Sequence, residues 1–254
     1  MPTVLILSSH VAADAVGGSA QAATFARAGI ETVFAPTVVF GRHPGRGAPG
    51  GGAIAAAMFE DVLAGVAANG AFETVDAVVT GYFADAEQVA VAARTIDAVR
   101  VVNPNVRIIV DPIMGDSGTG LYVKADVADA LAADLAPRAD LLAPNAWELA
   151  RLSGLAVDDP AAALAAVRVL DRPVLVSSVA VGAEIGVIYA DGAQAWLATH
   201  RRTDDVPHGT GDLLTALFAA AVLNGASPAD ALHAAVSEIA LRFADPPVTI
   251  ARIA

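Results

Sequence analysis

The sequence predicts a single α/β domain, residues 1–254, with a central, mostly parallel sheet flanked by helices on both faces. Three observations predict it. Short β-branched runs alternate with longer Ala-rich stretches along most of the chain, the order produced when helices cross over between parallel strands. The chain has 254 residues, 56% of them hydrophobic, enough to bury a substantial core. No 20–50-residue repeat and no polar linker divides it.

The first strand is expected at Val4–Leu7, which turns polar at Ser8, followed by an Ala-rich helix at Ser19–Arg27 and a β-branched strand at Glu31–Val38. The alternation continues with helix Ala53–Asn69, strand Ala77–Thr80, helix Ala86–Val102 and strand Arg107–Val110. Helix Lys124–Leu135, strand Leu141–Ala143, helix Ala146–Leu152 and strand Val174–Ser177 extend the same pattern. Strands near Ile185–Tyr189 and Gln194–Ala198 flank Asp191-Gly192 and read as a hairpin. Helices at Gly211–Leu223 and Pro228–Phe243 follow, joined by Asn224-Gly225 and a Ser-Pro start.

Composition narrows the function. Fifteen Lys+Arg against 27 Asp+Glu leave a net charge of −12, which argues against non-specific binding to nucleic acid or to an anionic membrane. The absence of cysteine removes disulfides, thiolate metal ligands and thiol nucleophiles, and fits a reducing compartment. The N-terminus has no basic flank, and the most apolar later stretch, Leu213 to Leu223, is too short for a membrane span. A cytoplasmic location is expected.

Ligands of open parallel sheets bind beyond the carboxyl ends of the strands. The exits here are Ser8-Ser9-His10, Gly81-Tyr82, Asp111-Pro112, Pro144-Asn145 and Ser177-Ser178, a polar and aromatic set expected to converge on one edge. Lys124 is the single lysine and stands outside any Gly-Lys-Ser/Thr loop, so a Walker-type phosphate site is excluded. An alternative anion site is Gly209-Thr210-Gly211-Asp212, which opens an apolar helix whose first N–H groups lack intrahelical partners. Asp212 there reads either as a carboxylate compensating the helix dipole or as a base beside the anion hole. Asp111 and Glu148, beyond neighbouring strands, suit Mg²⁺, which needs few protein ligands. Asn145 with Glu148 also reads as a capping box, and the two roles are compatible.

Together these pieces resemble the pyridoxal kinases of the ribokinase-like superfamily. The resemblance rests on Ser9-His10-Val11 with Val16-Gly17, Thr80-Gly81-Tyr82, Asp111-Pro112-Ile113-Met114-Gly115-Asp116 with Leu121-Tyr122-Val123, and Ala139 to Asn145 with Glu148-Leu149. Val176-Ser177-Ser178 and Gly209-Thr210-Gly211-Asp212 complete it, in the family's order and over most of the chain. It implies ATP-dependent phosphorylation of the 5′-hydroxyl of pyridoxal, and of pyridoxine or pyridoxamine where the pocket admits them. Asp212 is then the base, and the Gly209, Thr210 and Gly211 segment stabilises the transferring phosphoryl group. Ser9 bonds the pyridine substituents, Val16 and Tyr82 pack on the ring, and His43 matches a substrate-binding histidine. Asp111 and Glu148 serve Mg²⁺ and the nucleotide, with Asp116, Asn145 and Ser178 nearby. The resemblance also implies a homodimer and allows a monovalent cation.

One segment departs from the family pattern. From Phe40 to Gly52 the chain holds six glycines and two prolines, and Pro44 stands where relatives carry a threonine that contacts the ring nitrogen. This leaves the choice of vitamer open. The segment is expected to be mobile when empty, and either closes over the substrate or serves as a solvated connector. Two other readings share the fold: a hydroxymethylpyrimidine kinase, against which stands Asp212 in place of that branch's cysteine, and a non-catalytic vitamer-binding protein.

Overall fold

A computed structural model describes residues 1–203, 207–242 and 248–253. A ten-stranded sheet runs through it. Its strands are β1 (Thr3–Val11), β2 (Glu31–Phe40), β3 (Gly51–Ala53), β4 (Ala77–Thr80), β5 (Arg107–Val110), β8 (Leu141–Leu142), β9 (Val174–Val181), β10 (Glu184–Ala190), β11 (Ala195–Arg201) and β12 (Thr249–Ile253). A separate two-stranded hairpin is formed by β6 (Gly115–Asp116) and β7 (Gly120–Leu121). The order across the large sheet is β12-β11-β10-β9-β8-β5-β4-β1-β2-β3. From β9 to β2 every neighbouring pair is parallel, and the antiparallel pairs lie toward the two edges.

Strand side chains alternate between two cores. In β1, Leu5 and Leu7 face one side while Val4 and Ile6 face the other. The first core is covered by α2 (Ala56–Ala68), α3 (Ala71–Thr74), α4 (Ala86–Val102), α5 (Ala125–Ala130), α6 (Ala146–Ser153) and α7 (Pro160–Leu170), through side chains such as Phe59, Phe72, Ile96, Val127, Leu149 and Leu164. On the opposite face lie α1 (Gly17–Arg27), α8 (Thr210–Leu223) and α9 (Pro228–Arg242), which supply Phe25, Ala216, Phe218, Leu232 and Ile239. A sheet sandwiched by helices is the predicted architecture.

Several elements differ from the sequence expectation. The helix expected from Ala53 starts at Ala56, because Gly51–Ala53 pairs antiparallel with Val38–Phe40 as β3. The Gly-rich segment is therefore the turn of a hairpin, with a short 3₁₀ turn at Pro44–Arg46. α7 is additional; Asp159 caps it by accepting from Ala162 N at 2.8 Å, and Pro160 occupies its first position. β12, α3 and the β6–β7 hairpin are also additional. The expected end of the last helix, Phe243, lies outside the described residues. No helix among the described residues is long and apolar enough to cross a membrane.

Candidate active site

The strand exits do converge. Ser9, near the end of β1, is buried, and its Oγ lies so close to Gly17 that a Cβ there would sit 1.9 Å away. Gly17 has φ +57°, a left-handed conformation that glycine adopts without the Cβ penalty. The amide of Gly17 opens α1, where no capping side chain comes from the preceding residue, Val16. It donates instead to Asp212 Oδ2 at 2.8 Å, across 195 residues of chain. Asp212 thereby caps α1 while lying in the first turn of its own helix, α8. Its other oxygen, Oδ1, is buried with no hydrogen-bond partner among the described residues.

The loop before Asp212 is shaped for close approach. Gly209 is left-handed (φ +87°), and a Cβ there would lie 2.7 Å from Ala15 O and 2.9 Å from Val16 Cγ1. Thr210 Oγ1 donates to Pro207 O at 2.7 Å, while Gly211 faces open space. An N-terminal helical turn with unpaired amides thus borders a buried carboxylate.

On the adjacent exits, Asp111 is buried and its Oδ2 accepts from Thr215 Oγ1 of α8 at 2.9 Å. Burial holds its carboxyl well above the usual range, reinforced by the charges of Asp212 and Glu148 and opposed by the Thr215 hydrogen bond. Glu148 Oε1 accepts from Met114 N at 2.8 Å and Gly115 N at 3.2 Å, and its Oε2 accepts from Asn145 N at 2.9 Å. Asn145 Oδ1 accepts in return from Glu148 N at 2.9 Å, which completes the expected capping box, and Asn145 Nδ2 donates to Gly115 O at 2.7 Å. Burial pushes Glu148 up to about 7 despite those three amides.

Asp116 binds its own hairpin, accepting from Gly118 N, Thr119 N and the Tyr122 hydroxyl. Ser178 is exposed at φ +60°, in a bulge where β9 and β10 shift register, and the neighbouring Ser177 bridges to Asn145. Tyr82 is half-buried after β4; its amide donates to Ser8 Oγ at 3.3 Å and its carbonyl accepts from Thr37 Oγ1 at 2.6 Å.

The Gly-rich hairpin reaches the same place. The His43 ring stacks on His208, beside Gly209, with centroids 4.1 Å apart and planes at 25°. Burial and the neighbouring His208 lower the His43 pKa, against the opposing charge of Asp14. Sequence reasoning missed Asp14, Thr215 and the cap that Asp212 supplies to Gly17; all are contacts between distant segments with no local spacing signal.

Glu148 and Asp212 set a pH dependence. Both have folded-state pKa values above their ordinary ones, about 7 against 4.5 and about 6 against 3.8. The folded state therefore binds protons more tightly than the unfolded chain, and this contribution to stability is complete below the unfolded values and lost as pH rises through about 6 and 7. Without nucleotide or divalent cation, Glu148→Gln should show a smaller loss of stability between pH 5 and 8 than the parent. Urea midpoints at the two pH values check it, and equal losses in both proteins would contradict the assignment.

The fold matches solved structures along its whole length. Pyridoxal kinase from Entamoeba histolytica superposes with a TM-score of 0.91 at 23% identity, covering 100% of both chains. Pyridoxal kinase from Leishmania donovani, solved in complex with ADP, gives 0.85 at 25% identity over 93% of this chain and 84% of that one. The fold is that of a ribokinase-like α/β protein. Among curated proteins, a pyridoxine/pyridoxal/pyridoxamine kinase from Bordetella avium is 36% identical over 239 residues, 91% of this chain and 81% of its own. A pyridoxal kinase from Corynebacterium diphtheriae is 32% identical over 244 residues, 93% of this chain and 86% of its own. The family model described as phosphomethylpyrimidine kinase matches residues 16–245, and the chain belongs to that family.

Proposed function

We propose that the protein is an ATP-dependent pyridoxal kinase, transferring the γ-phosphoryl group of ATP to the 5′-hydroxyl of pyridoxal. The observation that carries this reading is the split state of Asp212: one oxygen is fixed by the Gly17 amide, and the other is buried beside the Gly209–Gly211 turn with no partner among the described residues. A substrate hydroxyl donating to Oδ1 satisfies that oxygen. As the hydroxyl oxygen bonds to the γ-phosphorus, its proton passes to Asp212 and ADP departs. The amides of the α8 start face the charge on the transferring group. Ser9, Val16, His43 and Tyr82 form the vitamer side, and Asn145, Asp116 and Ser178 the nucleotide side.

The donor set suits Mg²⁺: Asp111 and Glu148 are buried carboxylates, the charge of Glu148 raises the proton affinity of Asp111, and Glu148 keeps one of about four lone-pair positions beyond its three amides. Those two residues would hold the ion, which neutralises phosphate charge when bound. Among the described residues no three His, Asp or Glu side chains form a cluster able to enclose a metal alone, so a bound ion would need further ligands from nucleotide or water. The reading includes a homodimer and a cytoplasmic location, checked by sedimentation and cell fractionation.

The test is a coupled ADP-release assay with pyridoxal, pyridoxine, pyridoxamine and hydroxymethylpyrimidine. Pyridoxal should turn over, and excess EDTA should abolish the rate. The matching family model is described as phosphomethylpyrimidine kinase, which makes the pyrimidine substrate the second reading. Preference for it over all three vitamers would replace the first reading, and tight vitamer binding without turnover would show a binding protein.

A further inference from the structure

We infer that Asp14 is a positioning residue that seats His43 over the substrate end of the crevice; the inference rests on the kinase reading above. Asp14 lies in the turn between β1 and α1, and its side chain is only 7% exposed although the surrounding turn is open. Each of its oxygens is engaged by the Gly-rich hairpin. Oδ2 accepts from the His43 amide at 2.6 Å, and Oδ1 pairs with Arg46 Nε at 3.3 Å. The backbones of the two segments pair alongside, Ala12 N to Phe40 O at 2.9 Å and Ala13 N to Gly41 O at 3.0 Å.

The effect is transmitted to the His43 ring. With the amide of residue 43 fixed, Nδ1 accepts from Gly45 N at 3.1 Å and caps the 3₁₀ turn Pro44–Arg46. In the neutral ring this places the proton on Nε2. The ring then lies flat against His208, which immediately precedes Gly209. Asp14 thus fastens the hairpin carrying His43 to the β1–α1 turn carrying Val16, and the His43 ring in turn rests on His208 just ahead of the α8 start that carries Asp212. A segment of six glycines has a large ensemble to restrict, and a charge-assisted hydrogen bond to its backbone is a direct means of restricting it. Pro44 sharpens the requirement: it offers no side-chain donor, so orientation of the vitamer falls more heavily on the neighbouring histidine.

The experiment compares Asp14→Ala, Asp14→Asn and His43→Ala, singly and with Asp14→Ala combined with His43→Ala, in the full chain. Asp14→Ala should raise KM for pyridoxal by about ten- to a hundredfold, the range a charge-assisted hydrogen bond commands, with kcat and KM for ATP changed less than about threefold. Asp14→Asn retains an acceptor for the His43 amide and should recover most of the affinity. In the His43→Ala background, Asp14→Ala should add less than about twofold, because the two act as one unit. An unchanged KM in Asp14→Ala, or effects that multiply in the double variant, would overturn the inference. Amide exchange at His43 provides a readout independent of substrate: protection should fall in Asp14→Ala and return in Asp14→Asn. Equal protection in all three overturns the inference, whereas a parent that fails to phosphorylate pyridoxal overturns the kinase reading and leaves the exchange result to decide on Asp14.

Discussion

Asp212→Asn is expected to lower kcat by about 10²–10⁴-fold, the range over which a positioned general base contributes. The substitution keeps the shape of the side chain and leaves an oxygen able to accept the Gly17 amide, so α1 retains its cap and the fold its docking. What it removes is the capacity to take a proton at the second oxygen, which has no hydrogen-bond partner among the described residues. KM for ATP should change little. The pH profile sharpens the test. Burial raises the Asp212 pKa to about 6, with the Gly17 amide and its own backbone amide pulling the other way. Only the ionised form accepts a proton, so kcat/KM of the parent should fall as pH drops through about 6. In Asp212→Asn that limb should vanish along with most of the rate. Near-full kcat at saturating substrates would remove Asp212 from the chemistry and return it to its structural duty at two helix starts.

Gly17→Ala should produce a loss of comparable size by a different route. The residue sits at φ +57°, where a Cβ costs about 1–2 kcal/mol, and that Cβ would fall 1.9 Å from Ser9 Oγ and 3.1 Å from Ser9 O. Either Ser9 turns away from the vitamer position proposed for it, or Gly17 retreats and withdraws its amide from Asp212. Displacing reacting groups by about 1 Å commonly costs about 10²-fold. The expected result is a lower urea midpoint and a kcat/KM reduced about a hundredfold. A destabilised protein whose kcat/KM stays within about threefold of the parent would show that Gly17 matters for folding alone.

Which of these features sequence alone discloses depends on the range over which each is determined. Strands such as Ala77–Thr80 and Arg107–Val110 are legible because a buried parallel strand must be apolar on both faces, which leaves a short run with sharp ends. The capping box at Asn145 and Glu148 is legible for a similar reason, since its partners stand three residues apart. α7 carried a local signal, Asp159 before Pro160, that the surrounding alanines obscured. β3 carried none: Gly51-Gly52-Ala53 has poor strand propensity and is paired because the chain must return along β2. Buried Gln88 reinforces that return, donating from Nε2 to Thr37 O at 2.7 Å and Ile54 O at 2.6 Å. In the site, the residue types at the strand exits were readable and their partnerships were not. Thr215 on Asp111, Gly17 on Asp212 and Asp14 on the His43 amide each join segments at least 29 residues apart, and only the folded sheet sets them face to face.

The reach of the Gly17–Asp212 hydrogen bond has a bearing on the life of the chain as it is made. A ribosome releases Ser9, Gly17 and the His43 hairpin long before α8 exists, so the residues proposed for the vitamer side precede the proposed base. Closing a contact over 195 residues is among the slower steps open to such a topology. With Asp212 as the proposed base, catalytic competence arrives only when the first helix has met the eighth, which makes the appearance of turnover during refolding a clock for that late docking step.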